Sequence, residues 1–580
     1  MFNFYLIFVK NNKVKFYIPF VALFIYACTP AEQYDKVIIS DSVYTAADDS
    51  TAINAVAIIN DRIAAVGDSS EILNKLDPST EIVRIKDGFV MPGLIEGHGH
   101  FSGLGNSLQN LNFLKDTSWA QIVQKVVEKA EGLEEGEWVF GRGWHQEKWT
   151  VTPEESFDGY PLHNELSQLT SDNPVMLVHA SGHSLYANEA AMQLAGVTPE
   201  SMDPVGGRIV KNDQGAIVGV FEERAMTPFK DTYKEYLDQM SEEERMKIWH
   251  EGIDLAQREC LENGITSFQD AGSKYYELDE YEMRAEEGTL DVRLWAMLRE
   301  KNEDLDDRIS SYRKINVGNH FYTCRAIKSE LDGALGAYGA WLLKPYDDKP
   351  DFVGQNTTPV ADVEAIAQKC YDNEMQLCVH AIGDRANKET LDIMAGYNEK
   401  TPGLRWRVEH AQHLNPNDIN RFKETGAIAS MQAVHCTSDA PFVVKRLGTM
   451  RAKIGAYAWK ALLENDVIIV NGTDVPVEDI DPVTNFYSSV TRTRLDNGMT
   501  FFVEQRMSRE EALRSYTIDA AYGAFEEADK GSIEVGKLAD FTIIDTNWLE
   551  CDDNEIPNTK ILYTIVGGEI KYKNEEALKQ

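Results

Sequence analysis

The chain has 580 residues, and 94 acidic against 57 basic side chains give it a formal charge of −37. Apolar residues at 43% and charged residues at 26% are the proportions of a folded globular protein, and only 7 Cys over this length exclude a disulfide scaffold. No Lys/Arg block is present to neutralise phosphates, which argues against nucleic acid as a partner; the length suits a large enzyme domain with smaller satellites.

The N-terminal segment reads as an address. Lys10, Lys13 and Lys15 precede the apolar run Phe16–Ala27, and Cys28 follows. That run is shorter than the roughly 20 residues a membrane-crossing helix needs. Residues 1–27 therefore read as a lipoprotein-type signal peptide. Ile25-Tyr-Ala-Cys28 resembles a bacterial lipobox, which implies lipidation of Cys28 and an exported protein facing the periplasm or the cell surface. Acyl chains, not charge, would hold so anionic a body to the membrane. An ordinary signal peptide with an incidental cysteine is the alternative.

From residue 28 to 90 the pattern is β-like: Lys36–Ser40, Ala55–Ile59, Arg62–Val66 and Glu81–Ile85, with Asn60-Asp61 and Asp87-Gly88 as turn signals. The C-terminal stretch 526–580 mirrors it, with strands expected at Phe541–Asp545, Ile561–Val566 and Glu569–Tyr572. Both ends are expected to build one small β-sandwich domain. Between them, residues 91–525 alternate buried-strand runs with amphipathic helices such as Trp249–Asn263 and Val363–Asn373, the mark of βα units. Strands are expected at 265–269, 292–296, 324–328, 376–380, 404–410, 427–432 and 467–472; with the strand before Met91 they number eight. An α/β fold with a TIM-like (β/α)8 barrel closes this pattern, and residues 101–250, too long for one connection, read as an insertion.

Metal-capable side chains stand at the ends of these strands, the face where barrel active sites form. His98 and His100 are two residues apart on an extended segment, so both rings point the same way and can reach one ion. His380, His410 and Asp474 each close another apolar strand. Any one of them alone reads as a core histidine or a helix-capping aspartate; together, in barrel order, they read as a metal site. Lys328 would be repelled from such a site as an ammonium ion. Burial and a neighbouring metal can depress its pKa until it reacts with carbon dioxide, giving an anionic bidentate carbamate. Its bland alternative is an ion pair with Glu330 or Asp332.

This residue set resembles the amidohydrolase superfamily of metal-dependent barrel hydrolases. Val90-Met-Pro-Gly-Leu-Ile95 and Gly531–Asp540 belong to the resemblance. Gly141-Arg-Gly-Trp144, Ser181-Gly-His183, Lys328–Gly336, His380–Arg385 and Val408-Glu-His410 are similar to the family 3 branch that contains N-substituted formamide deformylase. The resemblance implies that His98, His100 and Asp474 hold the more buried of two divalent ions and His380 and His410 the more exposed one. Carbamylated Lys328 would bridge them. Zinc suits these ligands, iron, manganese or nickel would fit, and occupancy by one ion stays open. Asp474 would act as general base and then general acid around a metal-activated water.

His183, His435 and Trp144 are weaker candidates for substrate contact, with structural roles as the alternative. Asp384 and Arg385 read as an ion pair bracing the His380 turn. The reading is an exported metal-dependent hydrolase of a non-peptide C–N bond in a small molecule: an N-substituted amide, formamide or cyclic amide. An ester, lactone, N-acyl amino acid or dipeptide at the same site is the first alternative, and a catalytically silent lipid-anchored binding protein the second. A homodimer is compatible with this reading.

Overall fold

Eight strands, buried on both faces along nearly their whole length, make the barrel: β1 Leu94–Gly99, β2 Ile265–Ser273, β3 Arg293–Leu298, β4 Tyr322–Glu330, β5 Gln376–Ala381, β6 Arg407–His410, β7 Ile428–Gln432 and β8 Ile469–Gly472. The computed structural model describes residues 34–47, 53–146, 149–151, 153, 155–180, 182, 184–204, 207–305 and 308–579. Residues 1–27, where a signal peptide is expected, Cys28 and His183 lie outside them. Strands β1 to β8 follow one another in unbroken order, and neighbouring strands pair in parallel. Side chains such as Ile253, Leu278, Ile366 and Leu391 from the surrounding helices share one apolar core with the strands.

Closure between β8 and β1 is made at the site itself. The Asp474 N–H donates to the His98 carbonyl at 2.7 Å, and the His100 N–H to the Val475 carbonyl at 2.7 Å. Fully buried Glu96 on β1 accepts from the Thr473 N–H at 2.7 Å and its hydroxyl at 3.1 Å. The two strands approach so closely that a Cβ at Gly472 would lie 2.4 Å from both Glu96 Oε1 and the His98 nitrogen.

Three expectations need correction. The strand before Met91 runs Glu81–Pro92 and belongs to the terminal sheet; the first barrel strand begins beyond Gly93, where Thr266 leaves no room for a side chain. Asp87-Gly88 is not a turn. Asp87 takes φ 54° and the pairing register shifts between Ile85 and Phe89, so the strand bulges and continues. The chain ends meet in one seven-stranded sheet rather than a sandwich of two separate sheets; its order is 569–573, 561–566, 541–544, 81–92, 36–43, 55–59, 62–67. The sheet curls so that Lys36 Nζ donates to the Gly568 carbonyl at 2.8 Å, and Ile38, Val56 and Ile63 share an apolar cluster with Phe541 and Ile565.

The insertion is narrower than its expected 101–250. Helix Phe101–Gln109 and the last two-thirds of helix Glu242–Glu262 pack in the barrel layer, their backbones so close that a Cβ at Gly105 would meet the Gly252 carbonyl at 2.3 Å. The second helix starts earlier than its apolar periodicity suggests, because Ser241 and Glu244 form a capping box. Between these helices stands a six-stranded sheet ordered 207–211, 217–223, 184–187, 175–179, 139–144, 111–112, with an apolar cluster on each face. The six cysteines of the described residues are free thiols, and among those residues no helix is long and apolar enough to cross a membrane.

Candidate active site

The C-terminal ends of the barrel strands bring the six expected ligands together. The rings of His98 and His100 stand 5.9 Å apart, those of His98 and His410 4.7 Å, and those of His380 and His410 4.4 Å. Asp474 Oδ1 lies 3.1 Å from His100 Nε2 and 3.7 Å from His98 Nε2. Lys328 Nζ lies 3.4 Å from His98 Nε2. His98, His410 and Asp474, all buried, each offer one donor atom within 4.8 Å of the others.

A buried polar network fixes these side chains. Glu409 accepts from the His98 Nδ1–H, which leaves Nε2 facing the site. Glu409 is in turn held by fully buried Arg407, whose Nε donates to Oε1 at 2.7 Å while its Nη2 reaches the Gly97 carbonyl at 2.7 Å and Ser430 at 2.8 Å. Arg407 and Glu409 are two residues apart and share the inward face of β6. His410 follows with φ 72°, a backbone turn that swings its ring over the strand end, where Nδ1 meets Gln432 Oε1 at 2.7 Å. Asp474 also has positive φ, 61°. Each such residue costs about 1–3 kcal/mol, which the surrounding hydrogen bonds must offset.

Burial sets the charge state of the ligands. It lowers the His98 imidazole to about 4, with the Lys328 charge adding to the effect, and pushes His380 and His410 well below their ordinary value. All three are therefore neutral, with lone pairs free. Burial alone would raise Asp474, but donors on His100 and His435 outweigh it and hold the carboxyl well below the usual range. Burial also pushes the Lys328 amine down. Lys328 is 3% exposed and, among the described residues, has no carboxylate within 4 Å. Glu330 pairs with Arg299 at 2.8 Å and Asp332 is occupied elsewhere, so neither is the partner of Lys328.

Asp332 does the work expected of Asp384 and Arg385. Fully buried, it accepts from the N–H groups of Ile382 at 2.9 Å, Gly383 at 2.8 Å and Trp341 at 2.8 Å, clamping the turn after His380. Asp384 instead accepts from the Leu343 N–H, and Arg385 pairs with Glu389 and lies over the Trp341 ring. The expected Asp384–Arg385 ion pair is not formed.

Among the weaker candidates, His435 is at the site: it is 6% exposed, with Nε2 3.4 Å from Asp474 Oδ2. Trp144 is not a surface for substrate. It is fully buried in the insertion's core, with Nε1–H donating to the Leu177 carbonyl at 2.8 Å, because strand Val139–Trp144 points it inward against Trp119 and Tyr186. Its neighbour Arg142 reaches the barrel instead and donates to the Pro476 carbonyl, just after Asp474.

The donor set fits a divalent ion. Neutral imidazole nitrogens and a carboxylate converge, and one buried ring nitrogen among them, His380 Nε2, makes no hydrogen bond.

Residues 81–572 match the family described as "Amidohydrolase family". The YtcJ protein of Bacillus subtilis (strain 168) is 28% identical over 543 residues, covering 92% of this chain and 98% of its own. N-substituted formamide deformylase of Arthrobacter pascens is 22% identical over 551 residues, covering 93% and 98%. A solved structure described as an uncharacterized metal-dependent hydrolase from Pyrococcus horikoshii OT3 superposes with a TM-score of 0.70 at 25% identity, covering 90% of this chain and 99% of that one. With that match spanning the barrel and most of the terminal sheet, the chain belongs to the amidohydrolase family, in its family 3 branch.

Proposed function

We propose that this amidohydrolase cleaves a non-peptide C–N bond in a small molecule, an N-substituted amide, a formamide or a cyclic amide. The observation that carries the reading is the Asp474 carboxylate, ionised and buried among His98, His100, His410 and His435. The similarity to N-substituted formamide deformylase supports the choice of bond.

His98, His100, Lys328, His380, His410 and Asp474 would hold the metal, two ions or one, with zinc suited to the set. When bound, the metal polarises the substrate carbonyl and brings the pKa of water toward neutrality. Asp474 receives the water's proton and delivers it to the departing nitrogen, so one carboxylate serves as base and then acid. His435 holds Asp474 Oδ2, leaving Oδ1 for this transfer. Lys328 would add its neutral amine to carbon dioxide with release of one proton, and the resulting carbamate would supply anionic oxygen ligands in place of an ammonium. The carboxylate of Glu409 keeps His98 in the tautomer whose Nε2 is free. An anchor at Cys28 would place this chemistry outside the inner membrane.

The test is hydrolysis of a panel of chromogenic amides, formamides, esters and lactones before and after chelation. Chelator-sensitive turnover of amides above esters is expected. Esters turned over in preference to every amide would contradict the choice of bond, and chelator-insensitive turnover would contradict the metal.

A further inference from the structure

The two loops that carry His380 and His410 have a second side. Behind them lies a cavity of about 480 Å³, lined by Leu342, Leu343, Asp384, His413, Leu447, Arg451 and Ile454 among others. This is ample room for a small organic ligand. His413 is 2% exposed and neither of its ring nitrogens has a hydrogen-bond partner. A buried polar group without a partner is destabilising, so a partner entering the cavity would relieve it.

The cavity's charge is unusual for this molecule. In a chain of net charge −37, Lys344 and Arg451 line it, and among the described residues neither has a carboxylate within 4 Å. Arg451 is fixed rather than free: its Nε donates to the Leu447 carbonyl at 2.6 Å and its Nη groups to those of Lys344 at 3.1 Å and Pro345 at 2.7 Å. Its charge acts on Asp384 across the lining, so with Lys344 added the two cations outnumber the single carboxylate and the lining is net positive. Asp384, the one carboxylate of the lining, already accepts from the Leu343 N–H. The remaining wall is largely aliphatic. Burial keeps the His413 ring neutral, with its pKa lowered to about 3, so one of its nitrogens is a donor.

We propose that this cavity is a second ligand site, separate from the candidate metal centre, that binds an apolar carboxylate. The aliphatic chain would lie against Leu342, Leu447 and Ile454, with the carboxylate toward Lys344, Arg451 and the His413 N–H. Its wall is the backbone of the ligand loops: the His413 N–H donates to the Ile382 carbonyl at 3.0 Å, joining the segment after His410 to the segment after His380. Occupancy would stiffen both loops together.

The test is calorimetric titration of octanoate and of 1-octanol into the intact protein, which requires no turnover and so stands apart from the proposed hydrolysis. Octanoate is expected to bind at one site per chain, at least about tenfold more tightly than octanol. Ile454→Trp, at a half-exposed position that tolerates a larger side chain, and Leu447→Trp should each abolish that binding, while Arg451→Gln should remove the preference for the acid. Ile454→Trp retains its role in the test if Leu447→Trp fails to fold. Absence of octanoate binding, equal binding of octanol, or binding unchanged in Ile454→Trp would each overturn the proposal; the last would place the acid elsewhere, for instance at the metal centre.

Discussion

Glu409→Gln separates the roles of the network beneath the site. The substitution keeps shape and one acceptor but removes the charge that faces His98 Nδ1 and neutralises Arg407. Arg407 would retain the Gly97 carbonyl at 2.7 Å, Ser430 at 2.8 Å and Gln269 at 2.5 Å, all neutral acceptors, so a fully buried guanidinium would lose its counter-ion. Breaking one side of a buried pair costs about 3–5 kcal/mol, less whatever the remaining acceptors recover. Loss of the carboxylate behind a metal-ligating histidine weakens metal binding by roughly 10–100-fold. Denaturant unfolding of the metal-free protein reads the first effect, and chelator competition the second. Unchanged stability together with unchanged metal affinity would refute the network's role; loss of stability alone would reduce Glu409 to a structural partner of Arg407.

Asp474→Asn should retain part of its metal yet lower turnover by about 10²-fold or more, measured as kcat beside metal content. Trp144→Phe loses the bond to the Leu177 carbonyl and should cost about 1 kcal/mol in unfolding free energy without changing KM, because the ring is core and not substrate wall. The terminal sheet is joined to the barrel through Asp540, whose carboxylate meets Arg293 Nε at 2.7 Å and Nη2 at 3.0 Å, both residues buried. Burial would raise the Asp540 pKa, but Arg293 outweighs it and lowers the folded-state value. The pair's contribution is therefore complete above the unfolded carboxyl pKa of about 4 and is lost as pH falls through the lower folded value. Stability of the wild type should decline more steeply below pH 4 than that of Asp540→Asn; parallel profiles would contradict the linkage.

The residues legible in the sequence were those whose chemistry clashes with their surroundings. A histidine, lysine or aspartate ending an apolar strand is conspicuous, which is why His98, Lys328, His380, His410 and Asp474 could be picked out. Arg407 and Glu409 carry as much of the site's order but alternate inside a strand, where charged residues read as a solvated face; only the closed barrel makes that face interior. Asp332 was hidden for another reason, because two of its three backbone partners, Ile382 and Gly383, lie some 50 residues along the chain. Asp87-Gly88 has turn chemistry, yet a bulge uses the same left-handed conformation, and local sequence does not distinguish them. Gly531–Asp540 resembled the family without revealing its function, which is the docking of Asp540 on Arg293.

The most direct measurement is metal per chain by elemental analysis, on protein made with added zinc and bicarbonate, beside Lys328→Ala. The account predicts about two ions in the wild type and a clear loss in the variant, as a bridging ligand requires. One ion in both proteins would contradict the carbamate bridge, and no metal in either would contradict the assignment of a metal hydrolase.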